Sequence, residues 1–591
     1  MSITVLVLHP LGPAFILGLG GLLVALSRRV ITDPLPLSGA ATSSQFQESL
    51  RRARLRLPLR ALFSIVVAFV ALALLLMLWD RPSHATLTWT WQPLTVAGGA
   101  LLWELDGWNS LASALVLLLT VTALALGEFG EDLLPGRAWP GREAEQTLWL
   151  GAAALCFVCS ANVVTVASGW VLLDLALALR LRPGESAEPA GRAWSLLSLT
   201  GLAVPAALML LGEQSVRVTL ANGPFTPLVL GLLWIAALVR AGVYPFHFWL
   251  SGPGHVDAGG RVALHLVGPL TGLWLMGRVN QVSGADWLRR PEWAALGALA
   301  LLGTAIVAWA ADDENLRWRW IALNRASLIV LAVYMVALAG AQAQVWLLIT
   351  FAIGGALLLV GMVTRRRWGW RWPIILAALA VWGVPGTPGF LARLVLVFPT
   401  NLPVAAPLFV LVLISEALLV AALWQLAMGS LAGDGSTRGP NADSQPPATS
   451  FGWLATLEIG LALVSLIVPL IYWGLFPQRL AAPMRATESG AFSPLLWTLA
   501  HTRRSLWIGL ALSGLGGLAL GLLRDRIFSQ MRGWQTSIVT VVSLDWLYRA
   551  IVGVLALAGS GLRYFSVLGE GEGYVGWLLL AGAILWLLLR G

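Results

Sequence analysis

The sequence predicts an all-α polytopic membrane protein, and three observations carry that prediction. Hydrophobic residues make up 58% of the 591-residue chain and charged residues only 11%, against about 25% charged in soluble domains. Apolar windows long enough to cross ~30 Å of hydrocarbon recur along the whole chain. The 31 tryptophans cluster near the ends of those windows, where an amphipathic indole suits the headgroup zone.

Taken in order, the windows are bounded by charges, Gly/Pro clusters or polar loops. Ser2 to Leu26 shows no basic leader and no small-residue cleavage site, so the window 4–26 reads as a first span and not as a removable signal peptide. Spans follow at 60–79, 108–127, 147–160, 162–180, 194–212, 226–249 and 260–278. The series continues at 294–311, 320–339, 344–363, 373–396, 404–428, 453–474, 504–523 and 574–590. The stretch 534–565 fits either an interfacial helix or a further span. Residues 429–451, beginning "GSLAGDGSTRGPNADSQPPATS", read as a flexible cytoplasmic linker. Cys156 and Cys159, in "CFVC", sit inside an apolar window; two ligands alone make no metal site, and packing is the better reading.

The formal net charge of +9 comes wholly from arginine, since the chain contains no lysine. When the spans alternate, "RRVITD", "RRARLRLPLR", "PGRAWPGRE", "RLRPGE", a loop with Arg317–Trp318–Arg319, "RRRWGWR" and "LLRDRIFSQMR" all fall on one side. The excess of arginine makes that side cytoplasmic and leaves the N-terminus outside. The stretch "HTRR" at 501–504 is the exception. The expected location is the inner membrane of a bacterium.

Ionisable side chains at membrane depth are the informative ones, because each costs about 2.5–3.5 kcal/mol to insert. They are Asp174, Arg240, His247, His265, Arg393, Glu416 and Glu458. Two stand beside expected helix breaks. Arg240 precedes Pro245, and Arg393 follows "GVPGTPGF", which supplies Pro385, Gly386, Pro388 and Gly389. Irregular backbone at depth is tolerated only against protein or a water-filled cavity. A kinked helix with a snorkelling arginine accounts for either site alone, but two such sites together favour a translocation path.

The segment "VRAGVYPFHFWLSGPGHVDAGGRVALHLVGPLTGLWLMGR" (239–278) resembles the signature of the proton-conducting antiporter-like subunits of respiratory complex I, Mrp-type antiporters and membrane-bound hydrogenases. Pro245–Phe246–His247, Trp249–Leu250, Ala263–Leu264–His265 and Arg278 carry the likeness. "GVPGTPGFLAR" (383–393) matches the family pattern G-x-P-x-x-x-G-F-x-x-K except at its last position, and "LWELDGWNS" (102–110) is similar to the family's entry to the third span. "LDWLYRAI…GEGYVGWLLL" resembles the extension of the longer, subunit-5-like members.

The resemblance implies about fourteen core helices with two inverted five-helix repeats, each containing a broken helix. The organisation expected is N-terminal helices over 1–146, a first repeat over 147–278, a second over 294–428, the linker 429–451, and C-terminal helices with an extension over 452–591. It implies a proton pathway within a multisubunit, complex-I-like NADH:quinone oxidoreductase-type assembly, with further antiporter-like subunits and the lipid bilayer as partners. No cofactor is expected in this chain, no redox chemistry of its own, and no nucleic-acid partner.

Departures from the family bear directly on that function. Each broken helix of the family carries a relay lysine, and here those positions hold Arg240 and Arg393. Where the family has a glutamate after Gly–Trp, this chain has Val171 after Gly169–Trp170, and Asp174 stands nearly a turn later. The loop 251–259 is rewritten as "SGPGHVDAG", and the family's motif before the tenth span persists only loosely as Asn315–Leu316–Arg317. A buried lysine can lose and regain a proton, whereas arginine stays charged and can only anchor a carboxylate or order water. Histidine titrates in the useful range. His265 is a relay candidate or a core histidine, and His247 is expected to brace the broken backbone. Glu416 is expected to pair with Arg393. Three functions compete: a proton- or ion-conducting subunit, a non-conducting structural paralogue, and the membrane subunit of an Mrp-type antiporter or a bicarbonate-uptake system.

Overall fold

A computed structural model describes residues 9–31, 43–79, 89–91, 99–127, 142–180, 201–212, 218–220, 223–250, 256–282, 291–339, 342–396, 405–429, 452–477, 480, 504–530 and 533–570. The chain forms two compact units, Met1–Arg532 and Gly533–Gly591.

The first unit is a bundle of helices. In order these are α1 (Gly12–Ile31), α2 (Ser43–Leu78), α3 (Gly107–Gly127), α4 (Glu143–Val158), α5 (Val163–Arg180), α6 (Ala203–Leu211) and α7 (Pro227–Arg240). There follow α8 (Ala258–Gln281), α9 (Pro291–Ala310), α10 (Glu314–Ala339), α11 (Ala343–Trp368), α12 (Trp372–Trp382) and α13 (Pro388–Leu396). The unit closes with α14 (Ala405–Met428), α15 (Gly452–Leu475) and α16 (Arg504–Gln530). A minimal antiparallel pair, β1 (Trp89–Trp91) with β2 (Gly99–Leu101), lies outside the bundle's helices. The chain is an all-α polytopic membrane protein: among the described residues nine helices are long and apolar enough to span a bilayer.

Three shorter apolar helices accompany those nine, and two of them, α7 and α12, are the first halves of broken spans. At 1.5 Å per residue they reach only about 21 and 16 Å, short of the hydrocarbon thickness. The windows 226–249 and 373–396 are therefore interrupted and not continuous. α7 begins with Thr226, whose hydroxyl accepts from the Val229 amide, followed by Pro227 in the first turn. It ends at Arg240 because Gly242 adopts a left-handed φ of 62° and donates back to the Val239 carbonyl. Pro245 lies in the turn beyond it. A 3₁₀ turn, His247–Leu250, follows, and the Trp249 indole donates to Val239 O at 2.7 Å. α12 ends in the same way at Gly383, φ 88°, whose amide donates to Leu379 O. Pro385 and Gly386 lie in the turn that follows, whereas Pro388 and Gly389 already form the first turn of α13. Proline suits a first helical turn because it has no amide hydrogen to leave unsatisfied there.

Several arginine clusters read as loops prove to be helical. The run 51–60 lies in α2, Arg524 and Arg526 lie in α16, and Arg317–Trp318–Arg319 lie in α10. α10 starts ahead of its apolar window because Asp313 caps it, accepting from the Leu316 amide at 2.6 Å, and because Arg317 is buried, donating to Ala311 O at 2.5 Å. Most of the "PGRAWPGRE", "RLRPGE" and "HTRR" loops, residues 4–8 of the first span and 194–200 of the sixth, span 574–590, and all of the linker but Gly429 lie outside the described residues.

α3, α8 and α11 form the centre of the bundle, with 94–100% of their spanning windows buried. α8 passes directly against the end of α7: a Cβ on Gly272 would lie 2.2 Å from Ala241 N. Both α8 and α11 contain a π turn, at Ala263–Val267 and Thr350–Gly354.

The second unit consists of α17 (Trp534–Val542) and α18 (Asp545–Glu570), separated at Leu544 by a left-handed φ of 60°. The stretch 534–565 is thus two helices. Trp546, Ile551, Val554 and Leu557 are exposed on α18.

Candidate functional site: two buried charge clusters at broken helices

The two breaks place their arginines in the interior. Arg240, the last residue of α7, is 0% exposed, and its Nη1 donates to Asp174 Oδ1 on α5. Asp174 is buried too. The other guanidinium nitrogens, Nε and Nη2, have no hydrogen-bond acceptor among the described residues. The guanidinium instead lies over the Trp170 ring at 4.3 Å and near Phe157 at 5.8 Å. A desolvated cation gains about 2 kcal/mol from such a ring face. The nearly-one-turn offset of Asp174 from the expected acidic position therefore does not prevent contact.

The second cluster is larger. Arg393 on α13 donates through Nη2 to Glu416 Oε2 on α14, while Arg325 on α10 donates to Glu416 Oε1 at 2.5 Å. Arg325 also donates to Asn324 Oδ1 at 2.7 Å and to Val381 O at 3.4 Å, a carbonyl in the last turn of α12 that the break leaves without a helical partner. Asn324 is held in turn by Leu301 O and the Thr304 hydroxyl on α9. Arg393 reaches Ser513 Oγ on α16 at 3.5 Å. Two guanidinium groups thus share one carboxylate.

Arg325 is not among the residues that the sequence singles out. Its signal is present, an arginine inside the window 320–339 with no proline or glycine beside it, but no helix break points to it.

α10 links the two clusters. His247, fully buried, stacks on Tyr244 at 5.4 Å and meets the Trp320 ring edge-on at 4.8 Å. His265, in the π turn of α8, meets Trp318 edge-on at 5.7 Å, and its Nδ1 has no hydrogen-bond partner among the described residues. Trp318 is fixed by its own donation to Gly355 O on α11. Trp320 and Arg325 are roughly 7.5 Å apart along α10, so one helix carries aromatic contacts to the first broken region and a charge of the second.

Two motifs noted in the sequence also meet. Arg278 donates to Asp106 at 2.5 Å and to Asn109 Oδ1 at 2.6 Å, and Asn109 accepts from the Trp274 indole. This pair ties the start of α3 to the end of α8. No group of three or more histidine, cysteine or acidic side chains able to hold a metal occurs among the described residues.

This polytopic helical bundle, with two half-broken spans and a charge cluster at each, shares its fold with chains of solved multisubunit membrane complexes. A chain of the Mrp complex from a Dietzia species superposes with a TM-score of 0.67 at 18% identity, covering 89% of this chain and 59% of that one. A chain of the membrane-bound sulfane sulfur reductase, an archaeal respiratory membrane complex, gives 0.67 at 15% identity, covering 98% and 99%. A chain of respiratory complex I from Thermus thermophilus gives 0.54 at 18% identity, covering 80% and 98%. This chain thus spans about three-fifths of the Mrp chain's length. No family model and no curated relative matches the sequence.

Proposed function

We propose that this chain is an ion-translocating membrane subunit of a multisubunit, complex-I-like assembly, with its pathway running along the two buried charge clusters and α10. The observation that carries the reading is that each broken helix holds an arginine, fully buried at Arg240 and partly buried at Arg393, against a buried carboxylate from a different span. Such charges are costly in a bilayer and mark ion and proton routes. The coverage of 98% and 99% shared with a respiratory membrane complex chain supports placing it in a redox-driven assembly. Its partners are other membrane subunits, including further antiporter-like ones. The N-terminus faces outward across a bacterial inner membrane, and electron-transfer cofactors reside in the partner subunits.

Because arginine does not deprotonate, Arg240, Arg325 and Arg393 act as fixed positive charges. They hold carboxylates and orient water, and the proton itself moves on histidine, carboxylate and water. His265 is the relay candidate with an open ring nitrogen. The test is proton flux into liposomes containing the full chain, comparing wild type with Arg240→Ala and His265→Ala. Flux well above protein-free liposomes that falls in both variants is the expected result. Leak-level flux in all three sinks the conducting reading. It favours a structural subunit, a role that the pairing of both family-lysine positions by non-titrating arginines also fits.

A further inference from the structure

Of the buried acidic residues in the first unit's spans, Asp174 and Glu416 are neutralised by arginine. Glu458 is different. It lies within the first two turns of α15, is 0% exposed, and neither carboxyl oxygen has a hydrogen-bond partner among the described residues. An ionised carboxylate isolated from water and from any counter-charge costs several kcal/mol, and the smallest available counter-charge is a proton.

Among the described side chains none offers a substitute in contact with it. α15 packs against α2, α3, α11 and α13. α3, residues 107–127, contains no ionisable side chain. α13 brings Arg393, which is committed to Glu416. α11 brings Arg365 and Arg366, both committed to Glu314, and Arg367, which is exposed at the helix end and reaches Glu458 only through space. α2 brings Arg60, which donates to Ser27 O; the side chains of Glu48, Arg51, Arg52, Arg54 and Arg56 on the same helix lie outside the described residues. On α15 itself, the neighbouring Thr456 and Leu457 are exposed while Glu458 turns inward.

Its position along the helix adds a direction. Near the far end of α15, Gly474 touches the second break, where a Cβ would lie 2.2 Å from Gly386 O. Glu458 is sixteen positions earlier in sequence, roughly 24 Å along the axis. It therefore stands toward the Arg365–Arg367 end of α11 and not at the break.

We propose that Glu458 is an exchangeable proton-binding site of the membrane bundle, a carboxyl neutralised by its own proton and open to exchange at the Arg365–Arg367 end. Its use in transport rests on the ion-translocating reading above; the site itself does not. A neutral acid here supplies a titrating group in a chain whose broken-helix cations do not titrate.

Infrared difference spectra of the full chain in lipid nanodiscs test the site directly. The expected result is a carbonyl stretch of a neutral carboxylic acid that shifts down in D₂O, is absent in Glu458→Gln and persists, displaced, in Glu458→Asp. Absence of any band that Glu458→Gln removes, or a band that does not shift in D₂O, overturns the proposal. A hydrophobic carbodiimide, which adds only to protonated carboxyls, is expected to modify Glu458 and to spare the ion-paired Asp174 and Glu416. Modification of those two in preference to Glu458 also overturns it. Liposome flux separates the two readings. If wild type conducts, Glu458→Gln is expected to lower flux at least about tenfold. If wild type does not conduct while the band is present and exchanges, the transport reading fails and the proton site stands.

Discussion

The two broken regions solve one problem with different stoichiometries. At the first, one arginine meets one carboxylate, and the hydrogen-bonding capacity left over on Arg240 is covered by the faces of Trp170 and Phe157. At the second, Arg325 and Arg393 converge on Glu416, and the remaining donors find Asn324, Val381 O and Ser513. The first is formally neutral and leans on aromatic rings. The second carries a surplus positive charge and leans on polar groups from α10, α12 and α16. In low dielectric a surplus charge is held by dipoles and hydrogen bonds, so the second cluster depends more heavily on its one carboxylate.

That contrast sets the order of expected damage. Glu416→Gln leaves two guanidinium groups facing each other in the interior. Its cost is expected at about 5 kcal/mol or more, above the range for breaking a single buried pair, seen as loss of monodisperse protein in detergent or a collapse of the Tm. Asp174→Asn leaves only Arg240 uncompensated and is expected to cost about 3–5 kcal/mol. The double replacement Asp174→Leu with Arg240→Met should recover most of that loss in the same thermal assay. Equal costs for Glu416→Gln and Asp174→Asn break the comparison. Trp170→Leu, which removes the ring under Arg240, is expected to cost less again, about 2 kcal/mol for the cation–ring contact. A double-mutant cycle with Arg240→Met sharpens the point: coupling near zero shows that the ring only fills space.

Much of the bundle was legible from residue type. The windows 108–127, 404–428 and 453–474 correspond closely to α3, α14 and α15, because twenty apolar residues have few alternatives in a bilayer. The breaks were legible from Pro245 and from Pro385–Gly386, since a helix cannot continue through them unassisted. Their exact edges were not, because Gly242 and Gly383 end the helices through backbone conformation, which neighbouring packing selects. The segment at Arg317–Trp318–Arg319 misleads for a related reason. Its charge density suggests a loop, yet capping by Asp313 and burial against α11 carry the helix through it.

The candidate site divides along the same line. Arg240, Arg393, Asp174 and Glu416 stand out in sequence because a charge in an apolar window is conspicuous at any depth. Arg325 stands in an equally apolar window but has no break beside it, and only its convergence on Glu416 reveals its place. The meeting of Arg278 with Asp106 likewise joins positions far apart in the chain, a contact that no local pattern encodes.

By itself, then, the order of amino acids determined a helical membrane bundle, the places where two of its helices must stop, and the absence of any lysine to titrate there. Hydrophobic length, proline's missing amide hydrogen and side-chain chemistry are local properties, so they can be read locally. Which carboxylate answers which arginine, which rings cover the leftover guanidinium nitrogens, and which acid is left without a cation in contact among the described residues were decided only by the packing of distant helices. A charge in hydrocarbon takes its meaning from what stands within a few ångströms of it.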